Sequence, residues 1–177
     1  MIIPQALVRR TITLSAIPDG SDGIKATLAL MVRLAKNSKN SFAVREKAME
    51  LVADVPQKSY FNEIKALFEF IRDHIRYTMD INEVETVATP EQTLAYAQGD
   101  CDDKALLLAS LLESIGHPAR FVAVGSKPDD YSHVLVETRM MFPGGKIKWI
   151  PLETTEPVPV GWYPPDMPYR LVYNVET

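Results

Sequence analysis

Gly99-Asp100-Cys101-Asp102-Asp103-Lys104-Ala105-Leu106-Leu107-Leu108-Ala109-Ser110-Leu111-Leu112-Glu113-Ser114-Ile115-Gly116 is the stretch that decides the fold. Its spacing predicts a helix that begins around Asp100-Cys101 and runs to Ile115, closed by Gly116 and by Pro118 beyond it. A surface helix carries a single apolar stripe. Here Ala105, Leu106, Leu107, Leu108, Leu111, Leu112 and Ile115 cover far more than one face, so this helix is expected at the centre of the molecule.

Downstream of Pro118 the pattern changes to short β-branched runs, Arg120–Val124, His133–Glu137 and Ile147–Leu152, with Pro143-Gly144-Gly145 as the turn between the last two. Upstream, helical spacing is found over Ile24–Lys36, with Ser21 and Asp22 available as caps, over Ser41–Ala53, stopped by Pro56, and over Ser59–Tyr77. Tyr60, Ile64, Leu67, Phe68, Ile71 and Ile75 form the stripe of the third helix. Thr89-Pro90-Glu91-Gln92 combines an N-cap threonine, a proline at the first helical position and a capping-box glutamine, which starts a short helix ending at Gly99. Val8–Leu14 has the partial alternation of an edge strand, ended by Pro18-Asp19-Gly20. Helices first and hairpin-linked strands later predict an α+β fold, an antiparallel sheet packed on the buried helix. Beyond Glu156 the prolines at 157, 159, 164, 165 and 168 predict an extended arm ending in a strand at Arg170–Tyr173.

The 177 residues suit one domain spanning 1–177, with a core over about 59–155, an N-terminal part over 1–58 and the Pro-rich arm over 156–177. A hydrophobic fraction of 46% and a charged fraction of 24% are those of a globular chain, which excludes disorder and fibrous repeats. The net charge of −4 and pI near 5.4 supply no basic field, so neither nucleic acid nor an anionic membrane is an expected partner. No apolar run approaches the roughly 18 residues that span a bilayer, and Met1-Ile2-Ile3-Pro4 is not followed by a signal-peptide core, so a soluble chain is expected. The single cysteine excludes an internal disulfide and favours a reducing, cytoplasmic site.

That cysteine stands at the start of the central helix, where unpaired backbone N–H groups and the helix dipole favour an anion and are expected to lower its pKa. The same N–H groups can hold the oxyanion formed when a thiolate attacks a carbonyl. Asp102 and Asp103 oppose thiolate formation, so a base is required. His133 opens a strand that can pack on the helix, and Glu153 ends the next strand across the Pro-Gly-Gly hairpin, where a carboxylate can fix the imidazole tautomer. One cysteine with scattered histidines has no zinc-ligand spacing, and no cofactor is expected.

Thr89-Pro90-Glu91-Gln92-Thr93-Leu94, Gly99–Leu107, Ile115-Gly116-His117-Pro118-Ala119-Arg120, Ser132-His133-Val134 and Trp149–Thr155 follow one another in an order that resembles microbial transglutaminase-like proteins, above all the small members encoded by tailed phages and prophages. The resemblance covers about Ser59 to Thr155. It implies a papain-like α+β fold with Cys101 as nucleophile, His133 as base and position 153 as the acid; glutamate stands there where the family normally has aspartate. Gln98 is a candidate oxyanion donor, and Asp102 and Tyr131 are candidate cleft residues, as are Trp149 and Trp162. His74 and His117 have no partner suggested by spacing.

Two functional readings follow. The first is a thiol-dependent acyl-transfer enzyme acting on amide bonds of a protein or peptide, with hydrolysis favoured over transfer to an amine because the chain has little material for a lid. The second is a non-catalytic module that keeps the fold for phage assembly, binding a phage structural protein through the Pro-rich arm, in the host cytoplasm or in the virion. Oligomeric state is not encoded in these patterns.

Overall fold

The computed structural model describes residues 12–13, 20–79 and 86–176. Gly20 precedes α1 (Ser21–Ser38), which therefore starts three residues earlier than the apolar spacing suggests, with Ser21 and Asp22 inside its first turn and not before it. Ser41 caps α2 (Phe42–Leu51), its hydroxyl accepting the Val44 N–H at 3.4 Å. Val44 and Ala48 are buried.

The third helix, α3 (Tyr60–His74), stops short of the expected Tyr77. Ile75 is extended, and Arg76–Tyr77 form β2. Of the expected stripe, Ile64, Leu67, Phe68, Ile71 and Ile75 are buried, whereas Tyr60 at the first position lies at the surface. The short β3 (Thr86–Val87) pairs antiparallel with β1 (Ile12–Thr13), the described part of the expected first strand; the rest of Val8–Leu14 and the turn at 18–19 lie outside the described residues. The full capping box is present at α4 (Pro90–Tyr96): the Thr89 hydroxyl accepts from Gln92 N, and the Gln92 side chain accepts from Thr89 N. This helix ends at Tyr96 and not at Gly99, because Ala97 turns left-handed with φ 50° and Gln98–Gly99 form β4, parallel to β2.

The central helix, α5 (Cys101–Ser114), begins where expected and ends one residue before the expected Ile115, which is its C-cap, and every residue from Asp103 to Leu112 is buried. It is enclosed by α1, α2, α3 and α4 on one side and by a sheet on the other. The sheet contains β5 (Ala119–Gly125), β6 (His133–Phe142), β7 (Lys146–Leu152) and β8 (Tyr169–Asn174), in the order β7-β6-β5-β8, all antiparallel. The fold is thus α+β, with five helices among the described residues. Strand alternation divides the sheet into two faces: Ala119, Phe121, Ala123, Val134, Val136 and Leu152 join the α5 core, while Val122, Val124 and Leu135 form a second cluster.

That second cluster is covered by the Pro-rich segment. Tyr163 and Met167 pack on it, Arg72 donates to the Val158 carbonyl at 3.0 Å, and Gly161 N donates to Pro151 O at 2.9 Å. The expected arm is therefore a strap across the chain's own sheet, which then enters β8. Beneath its end, Glu137 is buried between Arg120, at 2.5 Å, and Arg170, at 2.8 Å. Among the described residues no helix is long and apolar enough to cross a membrane.

Candidate active site

Three short-range contacts set the start of α5. Asp100 caps the helix, its carboxylate accepting the Asp103 N–H at 3.1 Å. Asp103 Oδ1 accepts the Ala88 N–H at 2.7 Å, tying α5 to the segment that leads into α4. Gly99 lies so close to this aspartate that a Cβ there would stand 2.5 Å from Asp103 Cβ. The parallel pairing of β2 with β4, through Arg76 N to Ala97 O at 2.9 Å and Thr78 N to Gly99 O at 3.0 Å, aligns Tyr77 with Gly99, two residues before the cysteine.

Cys101 occupies the first helical position and is partly buried. Its thiol donates to Asp102 Oδ1 at 3.6 Å. Burial pushes this thiol well above its ordinary pKa, and the neighbouring Asp102 and Asp100 carboxylates push it further. The Val134 N–H bonds the sulfur and acts the other way without overcoming them. The direction is opposite to the acidified thiol expected at a helix N-terminus: desolvation and two adjacent carboxylates raise it. The Val134 contact nonetheless brings β6 against Cys101 at the residue next to His133.

His133 Nε2 and Glu153 Oε2 are 2.5 Å apart, and Glu153 is only 1% exposed. The other carboxylate oxygen of Glu153 accepts from Thr155 N and Thr155 Oγ1, both at 2.7 Å. Burial acts to raise the Glu153 pKa, but the His133 bond and charge, with the two Thr155 bonds, together hold it below the usual carboxylate range. The extra methylene of glutamate relative to aspartate therefore does not prevent the contact: residue 153 lies just beyond β7 and reaches the imidazole from there. With Nε2 engaged by the carboxylate, Nδ1 is the ring nitrogen left for a proton from a neighbouring thiol.

A family model described as the transglutaminase-like superfamily matches residues 45–154. The chain belongs to the transglutaminase-like superfamily. Solved structures share the fold at low identity. A candidate protease from Parabacteroides distasonis aligns with a TM-score of 0.55 and 19% identity over 84% of this chain and 29% of its own. A candidate cysteine protease from Cytophaga hutchinsonii aligns at 0.49 and 18% over 74% of this chain and 46% of its own. A chain of the Rad4/XPC nucleotide excision repair complex, from a structure addressing the role of β-hairpin motifs in opening the DNA duplex, aligns at 0.53 and 14% over 86% and 46%. The transglutaminase-like chain spans less than half the length of each of these three. No curated protein matches it.

Around the transglutaminase-like centre the remaining expected residues divide. Asp102 touches the thiol. Gln98 is exposed at the β2·β4 edge, and its side-chain carbonyl accepts from Arg76 at 2.7 Å. Tyr131 is half-buried against the α5 core. Trp149 stacks under Arg120 at 4.1 Å, on the Glu137 cluster, and Trp162 lies in the strap. His74 stacks on Phe70, and His117 is buried with its Nε2 2.8 Å from Glu63, a pairing between α3 and the α5–β5 turn that sequence spacing does not show. Among the described residues no group of three metal-ligating side chains converges.

Two residues near the centre escaped the sequence reading. Tyr77 is 47% exposed, lies opposite Gly99, two residues before the cysteine, and has its phenol pKa raised by burial and by the charges of Cys101, Asp100, Asp102 and Glu153. Its signal was an aromatic residue, Tyr77, shortly after a polar helix end, hidden because Ile75 continued the helical stripe. Lys104 is 2% exposed on α5; a lysine inside an otherwise apolar helix was the available sign.

Proposed function

We propose that this chain is a thiol-dependent acyl-transfer enzyme acting on amide bonds of a protein or peptide, with hydrolysis as its main outcome. The observation that carries this reading is the buried His133–Glu153 pair at 2.5 Å, on the strand whose next residue, Val134, bonds the Cys101 sulfur. An imidazole oriented by a carboxylate, on the strand that reaches the thiol, is what nucleophilic catalysis requires.

Because burial and the adjacent carboxylates keep the resting thiol protonated, attack and deprotonation are coupled. The Cys101 side chain turns from Asp102, the sulfur bonds to the amide carbon, and its proton passes to His133 Nδ1 as the carbonyl π pair moves onto oxygen. Glu153 stabilises the imidazolium through Nε2. Backbone N–H groups in the first turn of α5 face the oxyanion. The C–N bond then breaks, His133 returns the proton to the departing amine, and a thioester remains. Water attacks the thioester as His133 takes its proton, the C–S bond breaks, and the proton restores the thiol, releasing a carboxylic acid. The chain has little material for a lid over the centre, which supports hydrolysis over amine transfer.

The test is the rate of iodoacetamide alkylation of Cys101 against pH, in the native chain and in His133→Ala, followed by turnover of a peptide library by the native chain and Cys101→Ala. Loss of His133 is expected to slow alkylation near neutral pH by roughly 10²-fold. A rate indifferent to His133, or peptide turnover that survives Cys101→Ala, would sink the proposal.

A second reading, a non-catalytic assembly or binding module such as a phage particle would use, is favoured by one observation: burial, with Asp102 and Asp100, favours the protonated thiol. Because the Pro-rich segment packs on its own sheet, that module would need a surface other than the strap.

A further inference from the structure

An ammonium group is rarely enclosed, because leaving water costs several kcal/mol unless hydrogen bonds and opposite charges compensate. Lys104 is enclosed almost completely, one turn of α5 beyond Cys101. Its Nζ donates to the Ile75 carbonyl at 2.8 Å. Ile75 is the residue at which α3 ends and the chain becomes extended, and the next two residues are β2, whose Tyr77 lies opposite Gly99. The charged groups that face Lys104 are Glu153, beyond β7, and Asp73, on α3. Burial lowers the Lys104 pKa while these two carboxylates raise it. An apolar residue would fill the same interior volume at lower cost, as it does at the neighbouring Ala105, Leu106, Leu107 and Leu108.

We propose that Lys104 is a positioning residue for the Cys101–His133–Glu153 centre, holding β2 against the start of α5 through the Ile75 carbonyl and facing the buried Glu153 carboxylate with its positive charge. The hydrogen bond sets the wall of the site. With Ile75 O tied to α5, the β2·β4 ladder keeps its register and Tyr77 stays opposite Gly99, two residues before Cys101. The charge acts on the acid. A cation acting on Glu153 favours the carboxylate that orients His133. This inference rests on the acyl-transfer reading of the same centre.

Two variants separate the two roles. Lys104→Gln keeps an N–H donor for Ile75 O and removes the charge; Lys104→Met removes both in an unbranched side chain that matches the glutamine in length. The experiment is the pH profile of Cys101 alkylation by iodoacetamide in the full chain, each variant with and without His133→Ala. Removing a cation raises the pKa of the groups around it, so both variants are expected to move the His133-dependent limb to higher pH by about half a unit to one unit. Lys104→Met is expected also to lose about tenfold in the plateau rate that Lys104→Gln retains, because only the glutamine still holds β2. If Lys104→Met does not fold, the limb shift in Lys104→Gln decides alone. A Lys104→Gln profile identical to the native one, while His133→Ala still slows the native chain, overturns this proposal and leaves the acyl-transfer reading intact. A native profile indifferent to His133 removes both.

Discussion

At the level of single residues, the centre sets a helix terminus against its own acidic side chains. The N-terminal position of Cys101 is one that lowers thiol pKa in other contexts, yet here burial comes first and Asp102 and Asp100 add to it. Asp102 is the more consequential of the two, since it also receives the thiol hydrogen bond. Asp102→Asn removes one negative charge and leaves an amide carbonyl that can still accept. The thiol pKa is expected to fall by about one unit, giving roughly tenfold more thiolate and faster alkylation at a given pH below it. Alkylation kinetics of the native and Asn chains check this; an unchanged limb would mean that desolvation alone holds the thiol up.

At the level of elements, the partners of the thiol arrive on segments whose entry is set by close backbone approach. The chain leaves β5 at Gly125, turns through 126–132 and enters β6 at His133. A Cβ on Gly125 would stand 1.9 Å from the Asp130 carbonyl oxygen, far inside contact distance and against backbone that cannot swing aside. Gly125→Ala is therefore expected to displace the loop that delivers His133, at a cost of about 1–3 kcal/mol in stability. Urea unfolding reads the cost, and the His133-dependent part of Cys101 alkylation reads the displacement. A chain of native stability and native alkylation would show that the loop relaxes without moving the imidazole. The α4 capping box was legible in Thr89-Pro90-Glu91-Gln92 because it is a local hydrogen-bond arrangement. The end of α3 was not: Ile75 keeps the helical spacing, and what draws Arg76-Tyr77 into a strand is pairing with Gln98-Gly99, distant in sequence.

For the whole molecule, the buried acid of the centre makes stability depend on pH. The folded pKa of Glu153 lies below its unfolded value, the His133 and Thr155 interactions outweighing burial. Such a group binds more protons when unfolded, so its contribution is fully present above the unfolded value of about 4.3 and is lost as pH falls through the folded pKa. Urea unfolding of the native chain and Glu153→Gln, from about pH 7 down to about pH 3, should show a stability difference that is largest at the upper end and shrinks as the native carboxylate protonates. A difference constant over that range would mean that Glu153 contributes by packing and not by charge. The strap adds a whole-molecule element of a different kind. The Val122, Val124 and Leu135 face of the sheet would be exposed without Tyr163 and Met167, so a four-stranded sheet with helices on one side is closed on the other by irregular chain.

The amino-acid sequence by itself determined the central helix, the antiparallel strands and the capping box, and it singled out Cys101, His133 and Glu153 as candidates. Each of these follows from a short-range pattern or from a motif whose members keep their order along the chain. Only the tertiary structure decided the electrostatic state of the thiol, the burial of Lys104 against the Ile75 carbonyl, the place of Tyr77 beside the centre, and the strap on the outer face of the sheet. The reason is physical: desolvation, through-space charge and long-range packing depend on which distant segments exclude water from one another, and no local pattern of side chains specifies that.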